Sequence, residues 1–151
     1  MSSKLVFLDI DGTLADERHE VPISAQEACK AARSRGHKLF ICTGRSMPKI
    51  ERGILDLGFD GVISVAANAF PKRFMECVNY AKAGEFDRAE KAYECLDEAV
   101  HALFEEGNPV GVKCALSVMG KIGPTMRLPL VEGTAALREK FRRLIAEYDL
   151  R

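Results

Sequence analysis

The sequence predicts an α/β fold, a three-stranded parallel β-α-β-α-β half-Rossmann unit followed by a C-terminal bundle of about four helices. Two observations carry this expectation. Up to Val65, nearly continuous apolar runs, the pattern of strands buried on both faces, alternate with helical segments bounded by capping residues and glycines. Beyond Ala66 no strand pattern recurs, and alanine, glutamate, lysine and leucine place apolar residues at helical spacing. The change of texture divides the chain into 1–66 and 67–151.

The first strand is Lys4 to Ile10 (K-L-V-F-L-D-I), which ends in Asp-Gly. Ser24 and Glu27 have the spacing of a capping box and Gly36 supplies a left-handed stop, so a helix is expected from about Ala25 to Arg35. Lys38 to Thr43 is a second strand that breaks at Gly44, after which Ser46 caps a helix ending at Gly58. Gly61 to Val65 is the third strand. Four helices follow, Pro71 to Ala83, Phe86 to Glu106, Val110 to Lys121 and Thr134 to Tyr148, punctuated by Gly84, Gly107-Asn108-Pro109 and Gly123-Pro124. Parallel strands joined in this way gather their ligand-binding residues at their carboxyl ends, which here carry Asp9, Asp11, Thr43 and Asn68.

Composition narrows the function classes. The chain has 151 residues, of which 47% are hydrophobic and 29% charged, which excludes disordered and collagen-like classes. Lysine plus arginine (22) balances aspartate plus glutamate (22), so neither nucleic acid nor membrane is expected as a partner. The basic run Arg138 to Arg143 reads as a solvated helix face. Five cysteines without a C-x-x-C pair fit reduced thiols in a cytoplasmic protein, and the N-terminal apolar run is too short for a secretion signal or membrane span. Cys42 reads as a core thiol, and His19, His37 and His101 are too isolated to suggest a metal.

The chemistry concentrates at the first strand's end. Asp9-Ile10-Asp11-Gly12-Thr13-Leu14 sets two carboxylates two residues apart where a strand opens into a loop. Such a pair can divide nucleophile and general-acid roles or share a divalent cation, and a turn-capping role is the structural alternative. The segment resembles motif I of the haloacid dehalogenase-like phosphohydrolases. Ile41-Cys42-Thr43-Gly44-Arg45 is similar to their motif II in the form of Cof-type sugar-phosphate phosphatases, and Gly58 to Ser64 to their third strand.

That resemblance covers about Lys4 to Ser64 and implies Asp9 as nucleophile, Asp11 as general acid, and Thr43 with Gly44 as phosphate-holding residues. It also implies magnesium at Asp9 and Asp11 and a phosphorylated small molecule as substrate. The family's motif III lysine and motif IV acidic cluster have no counterpart here, because none of Lys72, Lys82, Lys91, Lys113, Lys121 and Lys140 precedes an acidic G-D-G-x-x-D segment. The expected hydrolase activity is therefore weak or absent.

A second resemblance runs from Gly61 to Arg151. Gly61 to Phe74, Gly107 to Gly120 and Met126 to Val131 resemble the eighth strand and C-terminal helical region of dihydrodipicolinate synthase, a (β/α)₈ barrel enzyme of lyase type. That family uses a Schiff-base lysine and a tyrosine on strands preceding this region, and no lysine of the chain matches, so lyase activity is not expected. Three readings stand side by side: a remnant magnesium-dependent phosphohydrolase, a structural chimera without catalysis, and a dihydrodipicolinate synthase-like fragment. In a phosphatase-like sheet the first strand lacks its outer neighbour, and self-association through that exposed edge is expected.

Overall fold

In a computed structural model, residues 2–44 and 52–151 are described. The chain divides into two compact units, Met1–Ser64 and Val65–Arg151. The first is an α/β unit of β1 (Leu5–Asp9), α1 (Ile23–Ser34), β2 (Lys38–Thr43), α2 (Arg52–Leu55) and β3 (Gly61–Ser64). Its strands form one parallel sheet in the order β1-β2-β3, with Leu5 registered on Lys38, Asp9 on Cys42, Phe40 on Gly61 and Thr43 on Ser64.

Among the described residues, this unit's core lies on one side of the sheet. Leu39 and Ile41 of β2 pack with Ile10, Leu14, Cys29 of α1, and Ile54 and Leu57 at α2, flanked by Val6, Leu8, Ala25, Ala32 and Val62. The opposite face carries Leu5, Phe7 and Ile63, which are 61%, 50% and 52% exposed. Phe7 stacks on Phe40 there at a ring-centroid distance of 5.0 Å. The expectation of strands buried on both faces is thus corrected: β1 alternates exposed and half-buried residues, because both connecting helices cover the same face.

The start of α1 also differs from expectation. The N-cap is Pro22, whose carbonyl accepts from the Ala25 and Gln26 amides, so Ser24 already lies inside the first turn and its capping box with Glu27 does not form. The Gln26 side-chain amide instead donates to the Val21 carbonyl at 2.9 Å. At the other end Gly36 takes φ +81° and the His37 amide closes back on the Ala32 carbonyl, the expected left-handed stop. Ser46 and Arg45 lie outside the described residues.

The amino ends of β2 and β3 are clamped by Asp60. Its carboxylate accepts from Lys38 Nζ at 2.8 Å and from the Leu39 amide at 3.0 Å, and its own amide donates to the Leu39 carbonyl at 2.8 Å.

The second unit is helical: α3 (Val65–Ala69), α4 (Pro71–Lys82), α5 (Phe86–Glu105), α6 (Val110–Val118) and α7 (Ala135–Glu147). The short α3 stands where no helix was expected. The other four follow their predicted spans to within a few residues; α6 stops first, at the left-handed Gly120, where the Lys121 amide bonds the Leu116 carbonyl. Helix α5 buries Tyr93, Leu96, Ala99, Val100 and Leu103, a stripe with the three- and four-residue steps of a helix face. Phe74, Ala115, Leu137, Phe141 and Leu144 complete this core.

Thr134 caps α7, its hydroxyl accepting from the Leu137 amide at 3.2 Å. Glu106 at the end of α5 accepts from the Thr134 amide at 3.0 Å and from the Thr134 hydroxyl.

Gly111 is where α6 meets the end of α5: a Cβ there would lie 2.1 Å from the Leu103 carbonyl oxygen. Backbone cannot yield as a flexible side chain can, so Gly111→Ala is expected to lower stability by about 3 kcal/mol. Gly53 in α2 faces open space, and Gly53→Ala is expected to stabilise by about 0.5–1 kcal/mol. Urea unfolding midpoints of the two variants check both signs.

Candidate functional site

The loop after β1 is built by converging backbone amides. Those of Thr13, Leu14 and Ala15 donate to the Ile10 carbonyl at 3.4, 3.1 and 2.9 Å, and Gly12 takes φ +70° to make the turn. Asp16 organises the next turn, its Oδ1 accepting from the Arg18 and Glu20 amides at 2.9 and 3.0 Å. His19, with φ +63°, sets its Nδ1 3.8 Å from Asp11 Oδ1.

This loop and the start of α1 enclose an open depression of about 620 Å³, lined by Asp11, Gly12, Asp16, Glu17, His19 and Ser24 among others. Asp9, Thr43 and Gly44 are not among its lining residues.

The four residues expected to act together are distributed differently. Asp9 is exposed, and its Oδ1 accepts from the Ile10 amide at 2.9 Å. Its register on Cys42 sends its side chain out on the face that Cys42 takes, and the pleat turns buried Thr43 to the other. Gly44 follows β2 and is exposed. Asp11 faces the loop depression beside His19. Among the described residues no group of three or more His, Cys, Asp or Glu side chains is arranged to hold a metal ion. No described helix is long and apolar enough to cross a membrane.

None of the described lysines lies at a strand's carboxyl end. Lys4 precedes β1 and Lys38 opens β2, both at amino ends, and the remaining described lysines lie on or next to helices. Sequence reasoning missed Asp60, whose only signal is its position one residue before β3. The Lys38 and Leu39 donors hold its carboxyl below the ordinary carboxylate range.

Burial pushes the thiols of Cys29 and Cys114 up, and that of Cys77 up to about 11.

Comparison with known proteins assigns the family. The Dihydrodipicolinate synthetase family profile matches residues 24–148. The chain belongs to that family. A 4-hydroxy-tetrahydrodipicolinate synthase of Methanocaldococcus jannaschii is 48% identical over 79 residues, 52% of this chain and 27% of that protein. The crystal structure of the Thermotoga maritima dihydrodipicolinate synthase is similar with a TM-score of 0.68 and 33% identity, covering 81% of this chain and 40% of that one. The chloride-inhibited Acinetobacter baumannii synthase, complexed with pyruvate, gives a TM-score of 0.66 at 28% identity, over 85% of this chain and 43% of that one. The chain thus spans less than half the length of each of these three relatives.

Family membership corrects the enzymatic expectation, which named a phosphatase if active and no lyase. The family match covers most of the chain and its members are synthases of a lyase family. It begins at residue 24, so α1, β2 and α2, which were read as phosphatase-like, fall within the dihydrodipicolinate synthetase match as well.

Two predictions follow from the titrating groups. Because the folded pKa of Asp60 is lowered, its contribution is full above the unfolded carboxyl value near 3.9 and is lost as pH falls through the folded value. Asp60→Asn is therefore expected to lower the urea midpoint at pH 7, with the gap to wild type closing progressively below about pH 4. At pH 8, Cys77 is expected to react with iodoacetamide about two orders of magnitude more slowly than an ordinary thiol, read residue by residue by mass spectrometry.

Proposed function

We propose that this chain serves a lyase of the dihydrodipicolinate synthase type as its C-terminal strand-and-helix portion. The observation that carries the reading is the family match over residues 24–148, which runs from α1 through β2 and β3 and into all five helices of the second unit. The reading gives the chain a scaffold role, with its parallel strands forming part of a barrel wall.

The Schiff-base amine of the family resemblance has no counterpart among the described strand-end residues, so the remainder of the fold supplies it. A 2-oxo acid is the substrate class, supported by the pyruvate bound to the similar Acinetobacter baumannii enzyme.

The test mixes this chain with the N-terminal two thirds of the Thermotoga maritima synthase, supplied as a separate polypeptide, and traps with borohydride in the presence of pyruvate. The expected result is adduct on the larger polypeptide at least about tenfold above the amount it forms alone, a gain of roughly 1.4 kcal/mol in assembling the site. Equal trapping with and without this chain overturns the reading.

A further inference from the structure

The loop after β1 carries an inference that is independent of the lyase reading. Every residue lining its depression falls between Asp11 and Ala25, so the walls come from a single connection, the turns after β1 and the first turn of α1. Backbone braces that connection: the Leu14 amide reaches the Asp9 and Ile10 carbonyls, both at 3.1 Å, and Asp11 bridges to Ala15. Three groups of complementary chemistry border the space. His19 brings an imidazole, Asp11 a carboxylate oxygen 3.8 Å from Nδ1 of that ring, and Ser24 a hydroxyl and a first-turn amide.

We propose that this depression is a general-base site that hydrolyses uncharged carboxylic esters, with His19 as the base, Asp11 as its positioning residue and Ser24 as donor to the developing oxyanion.

Each role follows from placement. A carboxylate at Nδ1 favours the neutral tautomer with its proton on that nitrogen, which leaves the Nε2 lone pair as the base. A separation of 3.8 Å is usual for an unliganded site, where catalytic hydrogen bonds shorten once substrate is in place. The ring rides on a stiff turn: the His19 amide donates to the Asp16 carbonyl at 2.9 Å, and the Asp16 carboxylate accepts from the Arg18 and Glu20 amides. Ser24 sits where a helix amide has no carbonyl one turn behind it. The Pro22 carbonyl takes the Ala25 and Gln26 amides, and among the described residues no acceptor takes the Ser24 amide or hydroxyl. Both donors are left for an oxygen that gains charge in the depression.

The His19 and Asp11 side chains are each more than half exposed, so solvent reaches the pair and supplies the nucleophile. Nε2 takes a proton from water as the water oxygen bonds to the ester carbon and the carbonyl pair moves onto its oxygen, toward Ser24. When that pair returns, the bond from carbon to the alcohol oxygen breaks, and the proton on Nε2 leaves with the alcohol. One water is consumed for each acid and alcohol formed, and His19 ends neutral as it began. Charge sets the substrate class, because Asp11, Asp16 and Glu17 border the space and repel an anionic ester.

Hydrolysis of p-nitrophenyl acetate by the full chain tests the proposal. The expected release of p-nitrophenolate continues well beyond one equivalent per chain, which separates turnover from a single acylation of lysines or thiols. His19→Asn keeps a residue that tolerates the left-handed backbone at φ +63° and is expected to lower the rate at least about tenfold. Asp11→Asn is expected to lower kcat about tenfold at unchanged KM, since it orients the base and does not bind the ester. His101, with Nδ1 3.6 Å from the Asp97 carboxylate on α5, is an equally close pair outside the depression, and His101→Asn is expected to leave the rate unchanged. Release that stops at one equivalent overturns the proposal, as does turnover that survives His19→Asn or Asp11→Asn, or that falls equally in His101→Asn. Wild type unfolded in urea is a second measurement that needs no variant: turnover is expected to vanish as the pair comes apart, and its persistence also overturns the proposal.

Discussion

Parallel strands cannot be joined by a tight hairpin, and this governs the α/β unit. Each return from a strand's carboxyl end to the next strand's amino end takes a crossover, and such crossovers are right-handed. Two of them in succession, moving the same way across the sheet in the order β1-β2-β3, deposit α1 and α2 on the same face. The apolar residues of β2 that face them, Leu39 and Ile41, become core, and Leu5, Phe7 and Ile63 on the other face stay in solvent. The Asp60 clamp then fixes the register of the strands' amino ends, leaving their carboxyl ends to be shaped by loops.

The same constraint explains what could and could not be read from the sequence. Three parallel strands in sequential order with helices on one side are common to a doubly wound sheet and to an eight-stranded barrel, which differ in what lies beyond the outer strands. The apolar runs of β1, β2 and β3 and the glycine stops at Gly36 and Gly84 were legible because runs of strand-forming apolar residues and left-handed backbone leave strong local signals. The choice between the two parent architectures was not, since it rests on neighbours outside the unit. Asp9, Asp11 and Thr43 stand at two strand ends in the sequence, and the pleat that sends Asp9 and Thr43 to opposite faces is invisible without the register.

The helical unit was more transparent, because its order is set by short-range steps. Phe86 to Glu105 declares its buried stripe at every third or fourth residue, and the Gly-Asn-Pro turn marks its end. What escaped was small: α3 is only five residues long, and the Ser24 capping box gave way to Pro22 because the true helix start lies earlier. Gly111 illustrates the limit of pattern reading. It scores as a weak helix former, yet its missing side chain is what lets α6 touch the Leu103 backbone.

The bonds from Glu106 to Thr134 have an evolutionary consequence for the stretch between α6 and α7. They hold the start of α7 against the end of α5 across 28 residues of sequence, so the cap itself helps to seat the helix. The intervening segment shows Leu128 at 87% and Val131 at 68% exposure. For a flexible loop, doubling the length costs only about 0.6 kcal/mol in closure entropy. This segment is therefore the place where descendants of the chain can acquire new sequence, and with it new surface, while the helices on either side keep their packing.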